Sequence, residues 1–398
     1  MLGGKGLTSH ANVIGVNMVK FEKPGRDEPY ERMASKAITG VLKDAGIDLS
    51  HVQQAYASYV YGDSTCGQTA LYQVGMTGIP IINVNNNCSS GSTALYMARQ
   101  AVESGSADCV LAFGFEEMKP GALGENWNDR TSPFQWIYNR FEELNPELPD
   151  GPVALKVFGA AGLEYLKKYD ANPDIFGKVA VKSRKHAVNN PYSLFKNELH
   201  LDDVMSSPVI YPGLTRFMAC PPTCGAAAVI VCSDTFAKKH NINNAIKIVA
   251  QSMTTDTPES YEDNLHLVGR SMTARAAGIV YEKAGIGPED MDVIELHDCF
   301  TPNEVISYEA LGLCGEGEAE KFINDHENTY GGKYVINPSG GLMSKGHPLG
   351  ATGLAQCTEL VWHLRGQAGQ RQVEGARTAL QHNLGLGGAC VVTVYQKV

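Results

Sequence analysis

Cys88 follows three asparagines and opens a run of small residues, Asn85-Asn86-Asn87-Cys88-Ser89-Ser90-Gly91-Ser92; His347 sits in Gly346-His347-Pro348-Leu349-Gly350-Ala351-Thr352-Gly353. A thiol and an imidazole are the pair that covalent catalysis through sulfur requires, because the thiolate is the nucleophile and a base must take its proton. Ala94, Leu95, Ala98, Ala101 and Val102 follow Cys88 at the spacing of one apolar helix face. Cys88 is therefore predicted at a helix N-terminus, where unpaired N–H groups and the dipole favour the thiolate. A free thiol titrates near ~8.5, and each unit of depression is worth about 1.4 kcal/mol. Gly91, Gly346, Gly350 and Gly353 let backbone approach a ligand closely, which a merely buried cysteine does not need.

The elements that must bring these two stretches together are duplicated along the chain. Lys43-Asp44-Ala45-Gly46-Ile47 ends a helical stretch before the partly apolar run 52–61, and Glu282-Lys283-Ala284-Gly285-Ile286 does the same before 293–296. The order of elements then matches: a strand, a helix, the run 81–84 leading to the Cys88 helix and a strand at 109–113. In the second half come a strand ending at His297-Asp298, a helix over 302–311, the run 334–336, the His347 helix and strands at 378–382 and 389–394. Short β-rich runs alternating with helices predict two mixed α/β units, each a sheet covered by helices, with both helix N-termini near a shared interface. The expected organisation is an N-terminal half over 1–116 and 214–243, an inserted subdomain over 117–213, and a C-terminal half over 244–398. The insertion carries a predicted helix with Lys178, Lys182, Arg184, Lys185 and His186, either a solvated face or a cradle for a phosphorylated ligand.

At 398 residues and 43% hydrophobic content the chain is long enough to build its cores without disulfides or metal. Its ten cysteines show no paired framework spacing, and Cys109, Cys232 and Cys390 lie in apolar runs, as expected of reduced thiols. Cys220 and Cys224 lack a second ligand pair nearby, so no metal is expected. A net charge of −10 argues against a nucleic-acid or anionic-membrane surface. No apolar run approaches the roughly 18 residues of a membrane span, and Tyr395-Gln396-Lys397-Val398 is not a Ser-Lys-Leu type peroxisomal address.

The Cys88 helix start, the Gly346-His347-Pro348 loop, the Asn337-Pro338-Ser339-Gly340-Gly341 turn, the duplicated halves and the large insertion together resemble the thiolases over essentially the whole chain. Ile294-Glu295-Leu296-His297-Asp298-Cys299-Phe300 resembles the variant loop of the sterol carrier protein 2 type, where most thiolases have Asn-Glu-Ala-Phe. The resemblance implies the thiolase fold, two stacked halves in five α-β-α-β-α layers. It implies cleavage of 3-oxoacyl-CoA, medium to long and including 2-methyl-branched chains, by CoA as co-substrate with no other cofactor. It further implies a homodimer, a peroxisomal setting and a frequent association with a sterol carrier domain.

By the same resemblance Cys88 is the nucleophile, His347 its base, and Cys299 the second acid/base. The usual second cysteine, at the head of a C-terminal Cys-x-Gly, is missing from Gly385-Leu386-Gly387. Backbone N–H groups of Cys88 and Gly387 are expected around one oxyanion, and His347 with His297 around the other. Asp298 is expected only to fix the loop, and Cys390 to be core. Lys182, Arg184, Lys185 and Cys220 are the candidate CoA contacts. Pro222-Thr223-Cys224-Gly225 departs from the family's usual Asp-Gly or Asn-Gly, which leaves the acyl preference open. Two alternatives remain: a condensing 3-ketoacyl synthase, which needs no second thiol, and a non-catalytic thiolase-like protein that binds acyl-CoA or lipid.

Overall fold

The computed structural model describes residues 10–120 and 127–397. Ten strands form one mixed sheet: β1 (Ala11–Met18), β2 (Gln54–Ser58), β3 (Ile81–Val84), β4 (Cys109–Glu116) and β5 (Gly225–Ser233) from the first half. The second half gives β6 (Ile246–Thr254), β7 (Val293–Glu295), β8 (Val335–Ile336), β9 (Thr378–Gly385) and β10 (Ala389–Lys397). The spatial order is β8-β7-β9-β10-β6-β1-β5-β4-β2-β3. It is two five-stranded sheets of the same internal order, joined where Asn12 and Val13 pair with Lys247 and Ile246. In each half two parallel pairings surround the second strand and two antiparallel pairings follow.

Strands β4 and β5 are buried along their whole length, which is why their sequences read as apolar runs rather than as an in-out alternation; β9 is as buried but carries the polar Gln381, His382 and Asn383. Helix α1 (Tyr30–Ala45) packs outside the first half-sheet, and α2 (Ser90–Glu103) lies on its inner face. The insertion supplies α3 (Val153–Tyr169) and α4 (Asp174–Ala187). Helices α5 (Arg270–Ala284) and α6 (Thr301–Ala310) cover the outside of the second half-sheet, and α7 (Leu349–Arg365) joins α2 in the centre. Three hydrophobic cores fill the spaces of this five-layer stack: one under α1, one around α2 and α7, and one under α5 and α6 that also takes in α3 and α4.

The repeated Ala-Gly-Ile is a helix stop. Gly46 and Gly285 end α1 and α5 at φ +66° and +67°, donating back to the last turn. The insertion leans on the second half, with Phe158 stacked on Phe300 at 4.9 Å and the Tyr165 hydroxyl on the Glu309 carboxylate. At the centre, a Cβ added to Gly91 would lie 2.9 Å from the Gly353 nitrogen. Only glycine lets the starts of α2 and α7 come this close.

Candidate active site

Cys88 lies two residues before α2, in a turn held by Asn87 at φ +52° and by Ser89 Oγ donating to the Asn86 carbonyl at 2.8 Å. The residue is half-buried, and surrounding protein raises its thiol to about 12, chiefly by burial and further by the charge of Glu116. Its own N–H and that of Leu386 favour the thiolate but are outweighed. The expectation of a resting thiolate is thus corrected: desolvation exceeds the helix-end effect, and the thiol is protonated at neutral pH. Gly387, next to Leu386, has φ +97° and lines a cavity of about 400 Å³ with Asn85, Asn86 and Asn87.

His347 precedes α7. Its backbone N–H donates to Thr223 Oγ1 at 3.1 Å, and its Nδ1 meets Thr352 Oγ1 at 2.7 Å. The Thr352 hydroxyl also lies 3.1 Å from the Pro348 carbonyl, and with its proton directed there Nδ1 is the donor in the ring contact. Nε2 then carries the lone pair, and it is buried without a partner. Burial lowers this imidazole to about 3, leaving it neutral.

His297 has the opposite tautomer. Asn383 Nδ2 donates to the Cys88 carbonyl at 3.1 Å and meets His297 Nδ1 at 3.1 Å, so Nδ1 accepts and the ring proton sits on Nε2. Burial, then His347 and His382, hold this imidazole well below its usual range. The two rings are edge-to-face at 5.1 Å. Cys88 Sγ and one nitrogen from each ring lie within 4.8 Å of one another. These three groups also have the composition of a soft-metal site. A lone pair on one ring and a proton on the other also suit proton transfer.

Asp298 is fully buried and accepts from the N–H groups of Leu342 and Met343 at 2.7 and 3.3 Å, fixing the loop onto the turn before His347. Cys299 is 5% exposed, and burial followed by the neighbouring Cys220 and Cys88 raises its thiol well above the usual range. The Cys220 N–H donates to the Cys299 carbonyl at 2.9 Å, so the three sulfurs share one neighbourhood. Cys390 is buried in the second half, its sulfur 3.6 Å from Thr273 Oγ1.

The CoA candidates divide. Lys182 is corrected: it is buried, and its ammonium pairs inside the protein with Glu304 and with Tyr308 Oη at 3.4 Å, because α4 turns this face onto α6. Arg184 lies over the Phe195 and Phe217 rings at 4.0 and 5.6 Å, with no carboxylate partner among the described residues. Burial lowers its guanidinium to about 10. Lys185 is exposed beside His186, Tyr330 and Arg371.

Two buried groups escaped the sequence reading. Glu116 accepts from the N–H groups of Tyr61 (2.9 Å), Val60 (3.1 Å) and Gly350 (2.9 Å), tying β4 to the start of α7; burial raises it to about 7. A carboxylate closing an apolar strand was its only signal. Asn383, on β9, gave no signal at all.

The chain matches the thiolase N-terminal domain model over residues 12–211 and the thiolase C-terminal domain-like model over 254–396. It is 54% identical to sterol carrier protein 2 of Oryctolagus cuniculus over 96% of this chain and 71% of that protein, and 53% identical to that of Homo sapiens with the same coverage. It is 36% identical to the benzoylsuccinyl-CoA thiolase subunit BbsB of Thauera aromatica over 94% of each. Among solved structures, an Ltp2-ChsH2(DUF35) aldolase superposes with a TM-score of 0.82 at 22% identity over 97% of each chain. Human mitochondrial 3-ketoacyl-CoA thiolase superposes with 0.74 at 18% identity, over 98% of this chain and all of that one. Among the described residues no helix is long and apolar enough to cross a membrane.

Proposed function

The chain belongs to the thiolase family, and on that premise we propose that it is an acetyl-CoA C-acyltransferase, cleaving 3-oxoacyl-CoA with CoA through an acyl-Cys88 intermediate. One observation carries the reading: a thiol, an imidazole with a free Nε2 lone pair and an imidazole with an Nε2 proton lie within 4.8 Å. As Cys88 attacks the 3-keto carbon, its proton passes to His347 Nε2. N–H groups of Cys88 and of the Leu386–Gly387 turn receive the first oxyanion. Collapse breaks the C2–C3 bond, and His297 Nε2–H with the now charged His347 receives the enolate oxygen. Cys299 gives C2 its proton, then takes the proton of the incoming CoA thiol. CoA attacks the acyl-Cys88 thioester, and the departing sulfur recovers its proton from His347.

Burial suits Cys299 to this double duty, since it keeps the thiol protonated until the enolate needs it. Arg184, paired with no acid and stacked on a ring three residues before Cys220, suits a CoA phosphate, with Lys185 farther out. Medium to long and 2-methyl-branched substrates, a role in fatty-acid β-oxidation, a homodimer, a peroxisomal setting and partnership with a sterol carrier domain are further parts of this proposal, supported by the resemblance of the His297–Phe300 loop to the sterol carrier protein 2 type.

The test is turnover of a 3-oxoacyl-CoA series by the wild type and by Cys88→Ala and Cys299→Ser, with mass spectrometry of the acyl-enzyme. Both variants should lose thiolysis, and only Cys88→Ala should lose the acyl adduct. Survival of near wild-type thiolysis in Cys299→Ser points to a condensing synthase, and absence of any adduct on wild-type Cys88 to a binding protein.

A further inference from the structure

We propose that Asn383 is a positioning residue that sets the tautomer of His297, and thereby makes this imidazole an oxyanion donor rather than a second base. The inference rests on the proposed reaction for its consequence, though not for its geometry. Asn383 is fully buried. Its amide has one allowed orientation, because Nδ2 meets the Cys88 carbonyl, which can only accept. The other end is fixed independently. Gln381 Nε2 donates to the Gly353 carbonyl at 2.6 Å and to Ser92 Oγ at 2.9 Å, so the Ser92 hydroxyl turns its proton to Asn383 Oδ1 at 2.8 Å. Tyr395 closes the chain by donating to Gln381 Oε1.

Two backbone carbonyls therefore orient two amides, and the second amide leaves His297 Nδ1 no role but acceptor. The network leaves no room for play, since a Cβ added at Gly353 would lie 2.2 Å from Ser92 Oγ and 2.6 Å from Asn383 Oδ1. The same amide that grips the Cys88 carbonyl thus dictates where the His297 proton sits. Nucleophile and enolate donor are set by one side chain.

An aspartate at 383 only accepts hydrogen bonds, so it draws the proton to Nδ1 and strips Nε2 of its donor. The experiment is nitrogen NMR of histidine-labelled protein, with the His297 signal assigned as the one missing from His297→Asn, together with steady-state kinetics. Wild-type protein should show His297 protonated on Nε2. Asn383→Asp should show it protonated on Nδ1, with kcat lower by about 100–1000-fold, the cost of one oxyanion donor, and KM within about two-fold. Asn383→Ala, which removes the constraint without imposing another, should show both tautomers, and it serves if the aspartate variant fails to fold.

A wild-type His297 protonated on Nδ1 overturns the inference, as does an aspartate or alanine variant that keeps the Nε2 proton and full kcat. The expected tautomers in a protein without thiolysis would remove the proposed reaction and leave the role of Asn383 standing. Thiolysis with an Nδ1-protonated His297 would do the reverse.

Discussion

Cys88 and His347 form a pair whose members are both neutral at rest, since burial pushes the thiol up to about 12 and the imidazole down to about 3. A group whose pKa lies above the working range gains thiolate about tenfold per pH unit, with no plateau until the pKa is reached. Alkylation of Cys88 by iodoacetamide should therefore keep rising from pH 6 to 9; a resting thiolate–imidazolium pair would level off near neutrality. Stopped-flow alkylation across that range decides between them. Glu116 bears on the same profile, because its charge adds to the rise of the Cys88 thiol. Glu116→Gln should speed alkylation at a fixed pH near 8 and slow turnover, since an amide cannot accept all three N–H bonds that tie Tyr61 and Gly350.

Helices α4 and α7 show what the elements contribute. Lys182 on α4 faces inward to Glu304, both nearly inaccessible. Removing one partner of such a pair strands the other charge, at a cost of about 3–5 kcal/mol. Lys182→Met should thus lower the urea midpoint by a corresponding amount while leaving the KM for CoA close to wild type, as urea melts and kinetics of the same preparation would show. Arg184→Ala should raise that KM, with a stability loss limited to the ring packing it gives up, since no buried charge is stranded. At the start of α7, a Cβ on Gly350 would meet the Phe115 carbonyl at 2.5 Å and the Ser58 carbonyl at 2.6 Å. Backbone cannot yield as a side chain does, so Gly350→Ala should cost about 1–3 kcal/mol and displace His347, lowering kcat. Calorimetry and kinetics on one sample test both effects.

The whole molecule is two copies of one five-stranded sheet, with α2 and α7 sharing the middle core. Neither half can bury that core alone, so residues 10–243 expressed by themselves should be aggregated or molten, by circular dichroism and size exclusion. The chain itself determined a great deal of this. Local pattern marked the strands at 81–84 and 109–113, the helix at 302–311 and the glycine stops at 46 and 285, each within a few residues of its place in the structure, because periodicity and left-handed caps are written in neighbouring residues. Cys88 and His347 were legible as chemistry from their glycine- and serine-rich settings, and the His297–Cys299 loop through its resemblance to the sterol carrier protein 2 type. Tertiary structure decided the rest. Whether Lys182 faced solvent or Glu304 depended on which helix packed over it, and the protonation of Cys88 on how much protein enclosed it. The tautomer of His297 depended on an asparagine 86 residues away, fixed by a carbonyl 295 residues from it in sequence. Desolvation and hydrogen-bond direction are properties of the enclosing space, and sequence neighbours do not carry them.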